Sequence, residues 1–311
     1  MSHKASGACL RSTVRTSARE SSFVTRAQPW LGTFVEIRAE ASEVGRADLL
    51  AAVDAAYAEI AGIHRLLSRQ DHGADYVTLA AAPEGAVVQV DTRTAELLQL
   101  CLQLSAQSAG RFTAEYVDRT PLAQQLSQPP AWSIDAPDRV RILRRTRPDF
   151  DGVAKGYAVD RAIGVLTARG MDGTVNAGGD LRTTRKPGEA LHVRCGSLSA
   201  GLINLGTLRD GACATSQTTT THMNRAAGLA GEGVEDRSTT AANPVPDMTI
   251  TVAAPTCALA DALTKVVAAG LDESVDLLRQ HGAAAWIMRE IDGALRIMQL
   301  GTSSVLIPHV A

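Results

Sequence analysis

A chain of 311 residues with 45% hydrophobic and 21% charged residues is globular and long enough to bury a substantial core, as one large domain or two small ones. A formal net charge of -2 supplies no field that would recruit nucleic acid or an anionic membrane, and 4% aromatics give little surface for stacking bases.

Residues 1–27 carry Arg11, Arg15, Arg19 and Arg26 among Ser, Thr and Ala, without the apolar run that a secretory signal needs. They read as a loose tail. No stretch approaches the length of a membrane span. Cys9, Cys101, Cys195, Cys213 and Cys257 form no CxxC and no zinc-like cluster, which suits buried thiols in a reducing compartment. A cytoplasmic location is therefore expected.

Trp30–Glu40 (WLGTFVEIRAE) reads as a strand, with Phe34, Val35 and Ile37 between polar residues. Asp48–Leu67 is apolar at helical spacing through Leu49, Val53, Ala56, Tyr57, Ile60, Ile63 and Leu67. Gly73–Ala86 looks irregular and carries a Pro-Glu-Gly turn. A second helix is predicted from Arg93 to Ala109, stopping at Gly110, with its leucines in the core. The run Arg139, Arg141, Arg144, Arg145, Arg147 alternates with Val140, Ile142 and Leu143, which favours a solvated face over a phosphate patch.

Asp149–Asp160 (DFDGVAKGYAVD) opens a helix from about Tyr157 to Arg169, ending at Gly170. GTVNAGGDL (Gly173–Leu181) reads as a strand entering a Gly-Gly turn. Ala226–Pro246 reads as loop, Met248–Ala254 as a strand, and Ala258–Ala269 as a helix. Ala294–Met298 and Ser304–Val310 read as closing strands. Helices and strands mix without a βαβ rhythm, and neither GxGxxG after a strand nor GxxxxGK[ST] occurs, so the expectation is an α+β fold of mixed sheets with packed helices.

Glycines around 152 and 178–179 let backbone approach a ligand closely, and Lys155 beside the first loop suits a phosphate oxygen; a plain surface lysine at a helix start is the alternative. Asp261, early in its helix, suits either a divalent cation or helix capping. Lys265, four residues on, could simply pair with Asp261.

These segments together resemble the ApbE family of FAD:protein FMN transferases, a T-fold-related architecture. WLGTFVEI (Trp30–Ile37), LLSRQD (Leu66–Asp71), AGRF (Ala109–Phe112), DFDGVAKGYAVD, VNAGGDL (Val175–Leu181), ATSQ (Ala214–Gln217) and TVAAPTCALADALTKV (Thr251–Val266) follow the family's order. The resemblance implies one ApbE-like flavin nucleotide domain over residues 28–311. It implies FAD and Mg2+ as cofactors, and transfer of FMN to a Thr or Ser of an acceptor flavoprotein with release of AMP. It implies Lys155, Gly156, Asn176, Ala177, Gly178, Gly179, Asp180 and Thr215 at the nucleotide, Ala154, Asp261 and Thr264 at the metal, and Asp261 and His222 in catalysis. No nucleic acid and no membrane anchor enter this reading.

The chain also departs from the family pattern. Asp151 stands for the first glycine of the DxGG block, FTAE (Phe112–Glu115) for FDxT, and Gln217 for a glycine followed by Thr218–Thr221. The H-[I/V]-x-D-P-x-T-G block survives only as His222-Met223-Asn224-Arg225 or as Val234–Ser238 without histidine. Lys265 occupies the place of a threonine metal ligand, so Thr264 substitutes for it with a local shift, or one ligand is lost, or Lys265 instead neutralises phosphate charge and reduces dependence on metal. FAD pyrophosphate hydrolysis and non-catalytic FAD binding are the rival readings.

Overall fold

The computed structural model describes residues 22–116, 128–194, 202–218, 248–291 and 294–308. In chain order the strands are β1 (Ser22–Trp30), β2 (Thr33–Ala41), β3 (Val87–Gln89), β4 (Trp132–Ala136), β5 (Arg139–Ile142), β6 (Asp172–Ala177), β7 (Asp180–Thr183), β8 (Glu189–Arg194), β9 (Leu202–Leu208), β10 (Gly211–Thr218), β11 (Met248–Ala254), β12 (Ala284–Ile291), β13 (Ala294–Gly301) and β14 (Leu306–Ile307). The helices are α1 (Arg46–Leu66), α2 (Asp75–Ala81), α3 (Thr92–Gln107), α4 (Ala154–Thr167), α5 (Cys257–Ala269) and α6 (Leu271–Gln280).

An eight-stranded antiparallel sheet runs β1-β2-β6-β7-β10-β11-β12-β13. Alternation assigns its two faces. Val35, Ile37, Val175, Ala177, Ala214, Val252 and Ile287 point to one side, into the core shared with α1, α4 and α5. Cys213, Ala253, Trp286 and Met288 point to the other, where Leu191, Val193, Leu205 and Leu208 of the small sheet β14-β9-β8 cover them. β11 (MTITVAA) is buried on both faces, Thr249 and Thr251 included. In α1 the predicted stripe Leu49, Val53, Ala56, Tyr57, Ile60 and Ile63 is buried. In the third sheet, β3-β5-β4, Val140 and Ile142 are buried while Arg139 and Arg141 face solvent, so the basic run is a strand face. Arg141 pairs with Asp135 and Arg144 with Glu115.

Some boundaries differ from the sequence reading. β1 begins at Ser22, inside the stretch 1–27 read as a tail, and pairs along its length with β2. Its alternation was hidden because Val24 is its one buried residue. Gly73–Ala86 contains α2, a helix that buries only Leu79 and so lacks a periodic stripe. Asp75 ties α2 to the next helix by accepting from Asp91 N at 2.8 Å and Thr94 Oγ1 at 2.6 Å. The loop read over Ala226–Pro246 lies outside the described residues.

Candidate functional site

Two glycines with positive φ, Gly178 at 66° and Gly179 at 107°, form the two-residue connection between β6 and β7. A Cβ on Gly178 would stand 2.6 Å from Thr33 Oγ1, so this hairpin tip can lie against the β1–β2 tip only with glycine there. Asn176 Oδ1 closes the turn by accepting from Gly179 N at 3.0 Å. Past the turn, Asp180 and Arg182 project from β7 onto the helix side of the sheet. Asp180 is 2% exposed and ion-pairs with Lys155 in the first turn of α4. Arg182 donates to Asp160 Oδ1 of α4 at 2.7 Å.

Asp160 also joins the two helices. Its Oδ1 accepts from Cys257 N at 2.8 Å and its Oδ2 from Ala258 N at 2.9 Å, satisfying two free amides at the start of α5. The α5 N-cap residue, Thr256, makes no side-chain cap of its own. Burial raises the Asp160 pKa, opposed by Arg182 and those two amides. One turn earlier on α4, a Cβ at Gly156 would fall 2.4 Å from Cys257 O, so glycine is what lets the helices cross this closely.

The crossing brings Asp261 of α5 toward Lys155. Asp261 is 1% exposed, and its Oδ2 is buried with no hydrogen-bond partner among the described residues. Beside it runs a chain of donors with a forced direction. Lys265 Nζ donates to Ser216 Oγ at 2.8 Å, Ser216 meets Thr264 Oγ1 at 2.8 Å, and Thr264 donates to Asp261 O at 2.7 Å. An ammonium only donates, and Thr264 spends its proton on the carbonyl, so Ser216 donates to Thr264. Burial first, and then Asp261, push the Asp180 pKa up to about 6 against the pull of Lys155 and Lys265. For Lys155, burial works to lower the pKa, but Asp261 and Asp180 together outweigh it and the pKa is raised.

The structure thus gathers Lys155, Asp180, Asp261 and Thr264, and adds Ser216, Lys265, Asp160 and Arg182. Ala154 opens α4 next to Lys155. Ala177 is core and Gly156 is a helix-crossing residue. Asn176 and Thr215 turn to the opposite face of the sheet, where Thr215 Oγ1 meets Thr251 Oγ1 at 3.0 Å, because each lies one residue out of step with the helix-facing Ala177, Ala214 and Ser216. His222 and Val234–Ser238 lie outside the described residues. Asp261 does not cap α5, and Lys265 pairs with Ser216 instead of with Asp261. Asp151 pairs with Arg69 at 3.0 Å, which also reaches Asp149 at 3.4 Å. A cavity of about 750 Å3 between α3 and β4, walled by Cys101, Ser105, Glu115, Tyr116, Trp132 and Arg144, shares no lining residue with this charged group.

The orphaned Asp261 Oδ2 fits one bond to a divalent cation. Thr264 fits less well, since its proton and one lone pair are committed. Among the described residues no three His, Cys, Asp or Glu form a metal cage. A Mg2+ ion here would draw its other oxygens from water and substrate phosphates, as that ion commonly does.

An antiparallel sheet backed by helices, with two lysines and two buried acids under a glycine hairpin, defines an α+β protein with a charged cluster between sheet and helices. The protein-family model described as ApbE family matches residues 31–287, and the chain belongs to the ApbE family. Among solved structures it is similar to the flavinyl transferase ApbE of Pseudomonas stutzeri in its apo form, with TM-score 0.68 and 19% identity over 90% of this chain and 94% of that one. It is similar to the flavin transferase ApbE of Vibrio cholerae, with TM-score 0.67 and 15% identity over 92% and 98%. It is also similar to the ApbE protein of Thermotoga maritima, with TM-score 0.66 and 21% identity over 91% and 97%. At these identities the likeness is one of fold. No curated protein matches the chain.

Proposed function

We propose that this protein transfers FMN from FAD to a Thr or Ser hydroxyl of an acceptor flavoprotein and releases AMP. The observation that carries the reading is the unpartnered, buried Asp261 Oδ2 next to the Lys155–Asp180 pair, in a chain of the ApbE family. The acceptor oxygen attacks the flavin-side phosphorus, forming a phosphoester bond. The bond to the bridging oxygen breaks, and AMP leaves with that oxygen.

Lys155 supplies an ammonium to the pyrophosphate, and the hairpin Ala177–Asp180 borders the nucleotide with its backbone. Asp261, with the Ala154 carbonyl, would hold Mg2+, which when bound offsets the charge that builds on the phosphates. In this reading Asp261 also orients the attacking hydroxyl, whose proton passes to Asp261 or to His222. Thr264 is assigned to fixing the Asp261 turn. The buried free thiols Cys101, Cys213 and Cys257 favour a cytoplasmic setting, and among the described residues no helix is long and apolar enough to cross a membrane.

The test incubates the protein with FAD and a panel of acceptor peptides, with and without Mg2+, and separates FAD, FMN, AMP and flavinylated peptide by chromatography. Mg2+-dependent AMP release with flavin on a peptide is expected. AMP with free FMN would replace transfer by hydrolysis, and bound, uncleaved FAD would replace it by a binding role. Asp261→Asn is expected to lose the metal-dependent turnover; a wild-type rate at saturating Mg2+ would remove Asp261 from the site.

A further inference from the structure

Lys155 ion-pairs with Asp180, whereas the hydrogen-bond partner of Lys265 is a neutral hydroxyl. Among the described residues Lys265 makes no ion pair; its ammonium is held by the neutral hydroxyl of Ser216 at 2.8 Å. One donor bond leaves two of its three protons for another acceptor. The residue is half-buried. Its stem is held as well: a Cβ on Gly152 would come within 3.1 Å of both Lys265 Cγ and Cε, so a glycine in the loop opening α4 leaves the lysine its room. The charge reaches the rest of the group, since it works to lower the Asp180 pKa. A half-buried cation fixed at both stem and tip, with spare donors and no ion-paired carboxylate among the described residues, suits an incoming anion.

We propose that Lys265 is a built-in phosphate-binding cation: its ammonium takes an oxygen of the FAD pyrophosphate, so that FAD binding in this protein persists without Mg2+. This rests on the reading of FAD as substrate. It makes binding and metal separable, because Lys265 neutralises the bound dinucleotide in the ground state while a divalent ion acts in the transfer step.

The experiment is direct FAD binding, by flavin fluorescence and by calorimetry, in EDTA and in Mg2+. It compares the wild type with Lys265→Met, which keeps the stem and removes the charge, and Lys265→Arg, which keeps the charge. The wild type is expected to bind FAD in EDTA within about threefold of its affinity in Mg2+. Lys265→Met is expected to weaken binding in EDTA by about tenfold or more, with Mg2+ restoring part of it, and Lys265→Arg to retain metal-free binding. Unchanged binding of Lys265→Met in EDTA overturns the proposal. So does a wild type that binds FAD only with Mg2+, an outcome that needs no variant to fold and leaves FAD as substrate. A wild type that binds FAD in neither condition overturns the substrate reading and this proposal together.

Discussion

Asp160 and Asp180 are both acids joined to a cation, and they differ in what else they face. Asp160 accepts two backbone amides besides Arg182, whereas Asp180 meets the second carboxylate, Asp261. Its folded pKa of about 6 stands above the ordinary 3.8, so ionising it costs the folded state stability. The cost is absent below the ordinary value, grows as pH rises between the two, and is complete above the folded value. Asp180→Asn removes it. Urea titrations from pH 4 to 7 should show wild-type stability falling relative to Asp180→Asn by on the order of 1–3 kcal/mol; a difference independent of pH would mean that Asp180 stays ionised throughout. Lys155→Ala is expected to weaken FAD binding by about tenfold, and an unchanged dissociation constant would take Lys155 off the phosphate.

At the scale of elements, the site depends on how α4 meets α5. Gly156→Ala would drive a methyl into the Cys257 carbonyl at 2.4 Å, and backbone cannot turn aside as a side chain can. A loss of about 1–3 kcal/mol is expected in the denaturant midpoint, with transfer activity falling because Asp261 rides on the displaced helix. Asp160→Asn leaves one acceptor for three donors and an uncompensated Arg182, and a loss of about 2–4 kcal/mol is expected in the same measurement.

This element pair also shows where the sequence speaks and where it stops. The periodic stripes of α1 and α3, the Gly-Gly turn and the strand β11 were legible because local spacing alone sets them. In GYAVD, Gly156 and Asp160 stand four apart and so share a helix face. That they work on a second helix is a tertiary fact with no local trace. Ser216 was passed over for the same reason: alternation says that it opposes Thr215, but only the fold says which of the two faces the helices. Asp261 was legible by its helix and its family motif, yet its orphaned oxygen belongs to packing.

Across the whole molecule, sheet order follows chain order. Strands β1, β2, β6 and β7 come before residue 184 and β10 to β13 after residue 210, and the two halves join through three residue pairs, Gly211–Thr183, Ala212–Arg182 and Cys213–Leu181. The charged site straddles that joint, with Asp180 on one side and Ser216 on the other. At the far margin β13 is the last strand, and Ile297 and Met298 are 47% and 42% exposed on it. An apolar sheet margin invites pairing between molecules. Ile297→Lys is expected to slow aggregation on heating, seen by light scattering, while leaving the unfolding midpoint within about 0.5 kcal/mol of wild type.

The reach of Asp160 bears on how the protein is made. Its amide partners lie 97 and 98 residues further along the chain. At roughly 5–20 residues per second, a ribosome takes on the order of five to twenty seconds to supply them. During that interval Lys155, Asp160, Asp180 and Arg182 have emerged while the helix they seat has not. A message broken after Arg182 and before Cys257 therefore yields a polypeptide with these four charges and no crossing helix, a substrate for proteolysis and not a smaller enzyme. Function arrives only with the last third of translation.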